Sequence, residues 1–419
     1  IMPTTGWAWR MLAAGALFGV AACQPMADVP LNKDDLTSGA EGVRSFQDDV
    51  EFLKRHMDLV ILGGPDAGSR VAVAPRWQGR VMTSTSNSDG GIGYGWINEA
   101  LIASGELQPH INAIGGEDRF WLGPEGGQFS IFFAGGDPFD LDHWQTPPAI
   151  DTVPYEVAVR DDSQVVFTHR VTLTNYSDSK FDLRIDRTVR LVEPNSLGVA
   201  LPASVQSVGY ESENTITNVG TAAWTPDTGL LSIWVLGMFK HSAKTTVIIP
   251  YRNGSGDALG PVVNDAYFGR VPDDRLKVSD GVLFFLADGA YRSKIGLSPR
   301  RARPVLGSYD ATRRLLTVIR YDLPEGNTDY VNSMWELQDK PYAGDAINSY
   351  NDGPPSAGAA PLGPFYELET SSPAAALAPN QALTHTHQTY HFEGTEENLN
   401  RIALDVFGVG LDTVGAAFR

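Results

Sequence analysis

From Leu59 to about Lys340, apolar and polar side chains alternate in short runs punctuated by Gly, Pro, Asn and Asp. In the run 181–191, Phe181, Leu183, Ile185, Val189 and Leu191 fall on one face of an extended chain. Residues 313–323 repeat the pattern, and 230–239 and 281–287 are denser apolar runs. Residues 70–84 read as strand, turn and strand, and the alternation continues to Phe392. Strands of this length, spaced by turn residues, predict an all-β sandwich or barrel. Helical spacing occurs in two places. Phe46, Val50, Leu53 and Met57 predict a short amphipathic helix, and 396–407 predicts another. The 43 glycines and 27 prolines fit the many turns. Residues 354–361 read as a long loop, because the text on both sides keeps one style, so 42–419 is expected to be a single β-sandwich domain.

The first residues follow a different pattern. Met11 to Ala22 is apolar and uncharged, which predicts a signal peptide over 1–22. It is too short to span a bilayer, which takes ~20 residues. Cys23 follows three small residues and resembles the lipidated cysteine of bacterial lipoproteins, and Gln24 after it suggests the outer membrane. Residues 23–41 then form a lipidated tether, with the domain on the periplasmic or cell-surface side. With its one cysteine on lipid, the chain has no thiol for a disulfide, a thiolate metal site or a nucleophile. A net charge of −18, from 32 basic and 50 acidic residues, repels a phosphate backbone and disfavours nucleic acid, and acidic polymers too unless a local basic patch overrides the field. Neutral sugars remain as ligands.

Four segments carry candidate chemistry. Gly91 to Gly95 lacks the βαβ setting and the lysine of a phosphate loop, and is expected to be a tight turn presenting Trp96 and Asn98. Residues 110–130 combine His110, Arg119, Trp121, Glu125 and two glycine pairs. Glycines let backbone approach a ligand closely, aromatic faces stack on sugar rings, and an arginine donates to hydroxyls. The alternative is a buried turn with a structural Arg–Glu pair. Glu367 and Glu369, two apart, share a strand face, and two close carboxyls tend to raise one pKa, which suits a general acid or base. His385, His387 and His391 also share one strand face. Neither face of that strand is apolar, so it is expected to line a wet cleft. These histidines could move protons or bind hydroxyls. The metal alternative is a divalent ion on His385 and His387, with Glu367 or Glu369 completing the shell; otherwise no cofactor is expected. No serine-elbow or other nucleophilic triad pattern is present.

Three stretches resemble a known family. Residues 71–80, and 365–373 with 377–381, look like the first strands and the late glutamate strand of galactose-mutarotase-like proteins. Residues 115–125 and 348–353, the latter holding Asn351 and Asp352, resemble an uncharacterised group of bacterial lipoproteins in that superfamily. The resemblance implies a large two-sheet antiparallel β-supersandwich whose concave face binds a carbohydrate. It also implies that Glu369, in its Leu-Glu-Thr context, removes an anomeric hydroxyl proton while a histidine protonates the ring oxygen. The mid-chain histidine segment of that family is missing: 172–176 stands in the matching place without one. His110, His385 or His387 would have to substitute. The expected function is therefore binding and processing of a neutral sugar or oligosaccharide, by epimerase, glycosidase or lyase chemistry. A glycan-binding lipoprotein without catalysis is the alternative.

Overall fold

The computed structural model describes residues 44–419. The signal segment expected at 1–22, Cys23 and the tether at 23–41 lie outside the described residues.

The alternating runs form strands, and these assemble into three antiparallel sheets. The largest has ten strands, in the order 276–279, 282–286, 245–250, 305–310, 315–321, 382–393, 206–218, 180–191, 164–174 and 156–160. A five-stranded sheet lies against it, ordered Ser293–Leu297, Ile347–Asn351, Phe365–Ser371, Ser232–Lys240 and Arg119–Gly123. The expected face of 181–191 buries Phe181, Leu183, Ile185 and Val189 against Phe120, Leu122, Ile233 and Val235 of the smaller sheet. At the other end, Val247, Phe285, Leu306 and Ile319 meet Ile295, Ile347 and Leu368. This is the large antiparallel two-sheet β-sandwich that the alternating pattern predicted.

Helices seal the margins. Phe46–Lys54 begins in a capping box between Ser45 and Asp48 and buries Phe46, Val50 and Leu53. It covers a three-stranded sheet, Val60–Leu62, Arg70–Ala74 and Arg80–Thr85, through Ala72, Ala74 and Met82. The helix Glu396–Phe407, capped by Thr395 and ended by a left-handed Gly408, covers the outer face of the ten-stranded sheet. A short second helix, Leu411–Ala416, absent from the sequence expectation, joins it there through Leu411 and Val414.

One expectation fails. His385, His387 and His391 line no wet cleft; each is fully buried between the two sheets. The interior supplies partners for both ring nitrogens of His391 and for one each of His385 and His387, whose Nδ1 and Nε2 respectively have none. Thr370 Oγ1, on the facing sheet, is 2.9 Å from both His385 Nε2 and His387 Nδ1. His391 Nδ1 is 2.9 Å from Thr317 Oγ1, and its Nε2 is 3.0 Å from Glu117 Oε2. Glu117 also accepts from Ser84 and Tyr210, and Asp118 pairs with Arg187 at 2.6 Å with both side chains fully buried. Burial pushes His385 down to about 3 and His387 down to about 4, so both rings are neutral.

Candidate functional site

Because strand side chains alternate, Phe365–Ser371 serves two layers. Leu368 and Thr370 face the ten-stranded sheet, while Glu367 and Glu369 face away from it. Neighbouring strands add to that outer face in register. Asn348 lies opposite Glu369, Leu236 pairs with both Glu369 and Arg119, and Lys294 lies opposite Tyr350.

Here the charges gather. Glu369 Oε2 accepts from Trp234 Nε1 at 2.9 Å and from Lys294 Nζ at 3.0 Å. The Lys294 ammonium also sits 4.8 Å from the Trp234 ring and 5.5 Å from the Tyr267 ring. Arg119 Nη2 donates to Glu367 Oε1 at 2.8 Å, and its guanidinium covers the Trp121 face at 4.3 Å. Tyr267 donates to Asp345 Oδ2 at 2.6 Å and accepts from Asn348 Nδ2 at 3.1 Å. A Cβ on Gly296 would come within 2.1 Å of Asp345 Oδ2, so only glycine lets this group close up.

Not every buried atom is partnered. Glu369 Oε1, Arg119 Nε, Trp121 Nε1 and Ser232 Oγ have no hydrogen-bond partner in the protein. A buried orphan calls for an explanation, a bound water or a catalytic role among them. Through Trp234 and Lys294, Glu369 meets a recess lined by Glu125, Ser232, Trp234, Tyr267, Lys294, Ser333, Asp345 and Asn348. Its free volume is about 20 Å³, room for a water-sized molecule and not for a sugar ring.

A strap around 331–338 accounts for the tightness. Val331 and Ser333 line the recess, and Ser333 Oγ accepts from the Glu125 amide at 3.1 Å. Gln338 bonds the carbonyls of Asn332 and Met334 and exchanges two bonds with Gln128. A Cβ on Gly126 would lie 2.2 Å from the Met334 carbonyl. The glycine pair at 126–127 therefore admits the chain's own strap, where the sequence suggested a ligand.

Protonation follows from burial and charge. Burial raises Glu125 to about 7, Lys294 opposing and Glu369 reinforcing it. Burial raises Glu367 to about 7 as well, with Arg119 opposing. Burial disfavours the Lys294 ammonium, but Glu369, Glu125 and Glu367 outweigh it and hold its pKa above the usual lysine value. The cluster can thus offer a proton acceptor at Glu369 Oε1, proton donors that titrate near neutrality, and an ammonium to steady a developing oxyanion.

The sequence candidates divide. Glu367, Glu369, Arg119 and Glu125 come together. Trp121 is a buried wall, its face taken by Arg119 and its edge set against Trp234 at 5.5 Å. His385 and His387 cannot be proton partners of Glu369, because they lie behind its strand, bound to Thr370. The same geometry removes the mixed His–Glu metal shell; among the described residues no group of three His, Cys, Asp or Glu is placed to hold a metal ion. His391 is committed to Glu117, and His110 Nδ1 lies 2.6 Å from the Trp144 carbonyl. Trp96 is buried against Phe365, Met238 and Tyr350. Asn98 caps the helix Glu99–Ser104. Asn351 bonds the backbone of Tyr291 and Gly289, and Asp352 accepts from Tyr350 and Gly363. Trp234, Tyr267, Lys294, Asp345 and Asn348 went unnoticed in the sequence. Asn348 heads the resembling stretch 348–353, which was an available signal; Lys294, in a short strand that opens on Ser293, carried none.

The fold and this face define a two-sheet antiparallel β-sandwich with a buried acid cluster on its smaller sheet. The chain belongs to the family described as "Family of unknown function (DUF6786)", whose model matches residues 44–418. No curated protein matches it. Among solved structures it is similar to the Slr1438 protein from Synechocystis sp. PCC 6803, with a TM-score of 0.50, 13% identity, and 81% of this chain and 96% of that one covered. A galactose mutarotase-like protein from Lactobacillus casei ATCC 334 aligns with a TM-score of 0.46 and 12% identity over 80% of this chain and all (100%) of its own. A galactose mutarotase related enzyme from Lactobacillus acidophilus aligns at 0.43 and 8% identity, covering 81% of this chain and 98% of that one. These likenesses concern the fold alone.

Proposed function

We propose that this chain is an exported lipoprotein, held on Cys23, that binds a neutral carbohydrate on the Glu369 face and moves protons on it. The observation that carries the reading is Glu369 itself: fully buried, held through one oxygen by Lys294 and Trp234, and without a partner on the other. A sugar hydroxyl supplies the donor that Oε1 lacks. Glu369 takes the hydroxyl proton, Lys294 steadies the oxyanion, and a protonated Glu125 returns a proton to the ring or leaving oxygen. Glu125 thus takes the acid role that the family resemblance assigns to a histidine. The reaction class is acid–base transfer at the anomeric centre.

Glu369→Gln keeps the shape and removes the base. Turnover should fall by about 10²–10⁴-fold while binding and fold persist. Turnover unchanged on every processed sugar overturns the assignment. One observation favours binding without catalysis: Glu367 and Glu369 are already ion-paired without a ligand. That reading expects the parent protein to bind sugars and convert none.

A further inference from the structure

The edge strand Ser293–Leu297 and the loop before it supply two cations. Lys294 lies opposite Tyr350, and its ammonium reaches past that strand to Glu369. Arg292, in the loop two residues earlier, donates from Nε to Tyr350 Oη at 3.1 Å. Consecutive loop residues cover the two cations. The Tyr267 ring is 5.5 Å from Lys294 Nζ, and the Phe268 ring is 4.2 Å from the Arg292 guanidinium. Each unit has a carboxyl within reach, Glu369 in the first and Asp352, through Tyr350, in the second.

The two units differ in exposure. Tyr267 is half-buried above the recess, whereas Phe268 leaves 46% of its surface to solvent. A single exposed apolar residue is ordinary on a protein surface. This one is distinguished by its setting: its ring packs against Arg292 and stands edge-on to Tyr350 at 5.9 Å, next in the chain to a residue of the site. The Arg292 contact steadies the ring and leaves part of it to water.

We infer that Phe268, flanked by Arg292, is a second sugar subsite, so that the ligand is an oligosaccharide whose terminal unit reaches Glu369 and whose next unit stacks on Phe268. This rests on the carbohydrate reading of the Glu369 site and specifies ligand length. A flat ring on a cation fits the apolar face of a neutral pyranose, and the acidic chain disfavours an anionic one.

The test is calorimetric titration of neutral gluco-, galacto-, manno- and xylo-oligosaccharides of one to five units into the parent protein, Phe268→Ala, Phe268→Trp and Glu369→Gln. In the series that binds, affinity should rise about tenfold from one unit to two. Phe268→Ala should erase that step and leave the monosaccharide constant unchanged, and Phe268→Trp should restore it. Equal affinity at every length, or a step that survives in Phe268→Ala, overturns the subsite and leaves the Glu369 reading standing. If no sugar of any length binds, the Glu369 reading falls and the subsite with it.

Discussion

At the scale of single residues, the site turns on three carboxyls facing two cations. Glu125, Glu367 and Glu369 crowd against Lys294 and Arg119, and burial lifts Glu125 and Glu367 to about 7 from an ordinary 4.5. If Glu125 is the acid, kcat/KM should fall above about 7 as that proton is lost. A pH–rate profile of the parent against Glu125→Gln checks this: the variant should lose most turnover and the alkaline limb together. Stability carries the same signature. Between 4.5 and about 7 the folded chain holds protons that the unfolded chain has released, so this contribution weakens as pH rises through the window. Calorimetric melting of Glu125→Gln should accordingly show a shallower decline across that range.

Among the elements, the strand Phe365–Ser371 explains what could and could not be read from the sequence. Alternation made the strand at 180–191 legible, dense apolar runs those at 232–240 and 282–286, and spacing located the helices near 46–54 and 396–407. The pairing of Glu367 with Glu369 on one face was equally plain. Which side of a strand meets solvent was not, because that depends on what the other sheet presents. The histidine strand looked wet since none of its side chains was aliphatic, yet Thr370 and Glu117, distant in sequence, made a dry interior acceptable. Trp234 was hidden within an apolar run that serves mostly as core. His387 allows a test of the interior assignment. Burial holds it down to about 4, so as pH falls from 6.5 the unfolded chain gains a proton that the folded chain refuses, and stability is lost on the acid side. This slope opposes that of Glu125, so only variants separate the two. His387→Leu, which leaves the Thr370 hydroxyl only its His385 partner, should cost about 0.5–1.5 kcal/mol near pH 7. Its deficit against the parent should narrow toward pH 4 in chemical denaturation.

For the whole molecule, a net charge of −18 and the anchor proposed on Cys23 suit neutral glycans met outside the cytoplasm. Cys23→Ser, expressed in a bacterium that acylates lipoproteins, should move the protein from the membrane to the soluble fraction and remove the lipid mass from its amino terminus. An unchanged fractionation would dismiss the anchor. The two sheets, meanwhile, are joined across their interior by Thr370 with His385 and His387, by Glu117 with His391 and Tyr210, and by Asp118 with Arg187. Hydrogen bonds between fixed partners do not slide as aliphatic layers can, so the sandwich gives little room for breathing. Widening of the recess is left to the strap clipped by Gln338 and Gln128. Association would then be gated: its rate would follow how often the strap lifts more than how fast sugar diffuses, and part of any ligand's intrinsic affinity would go into holding the strap open.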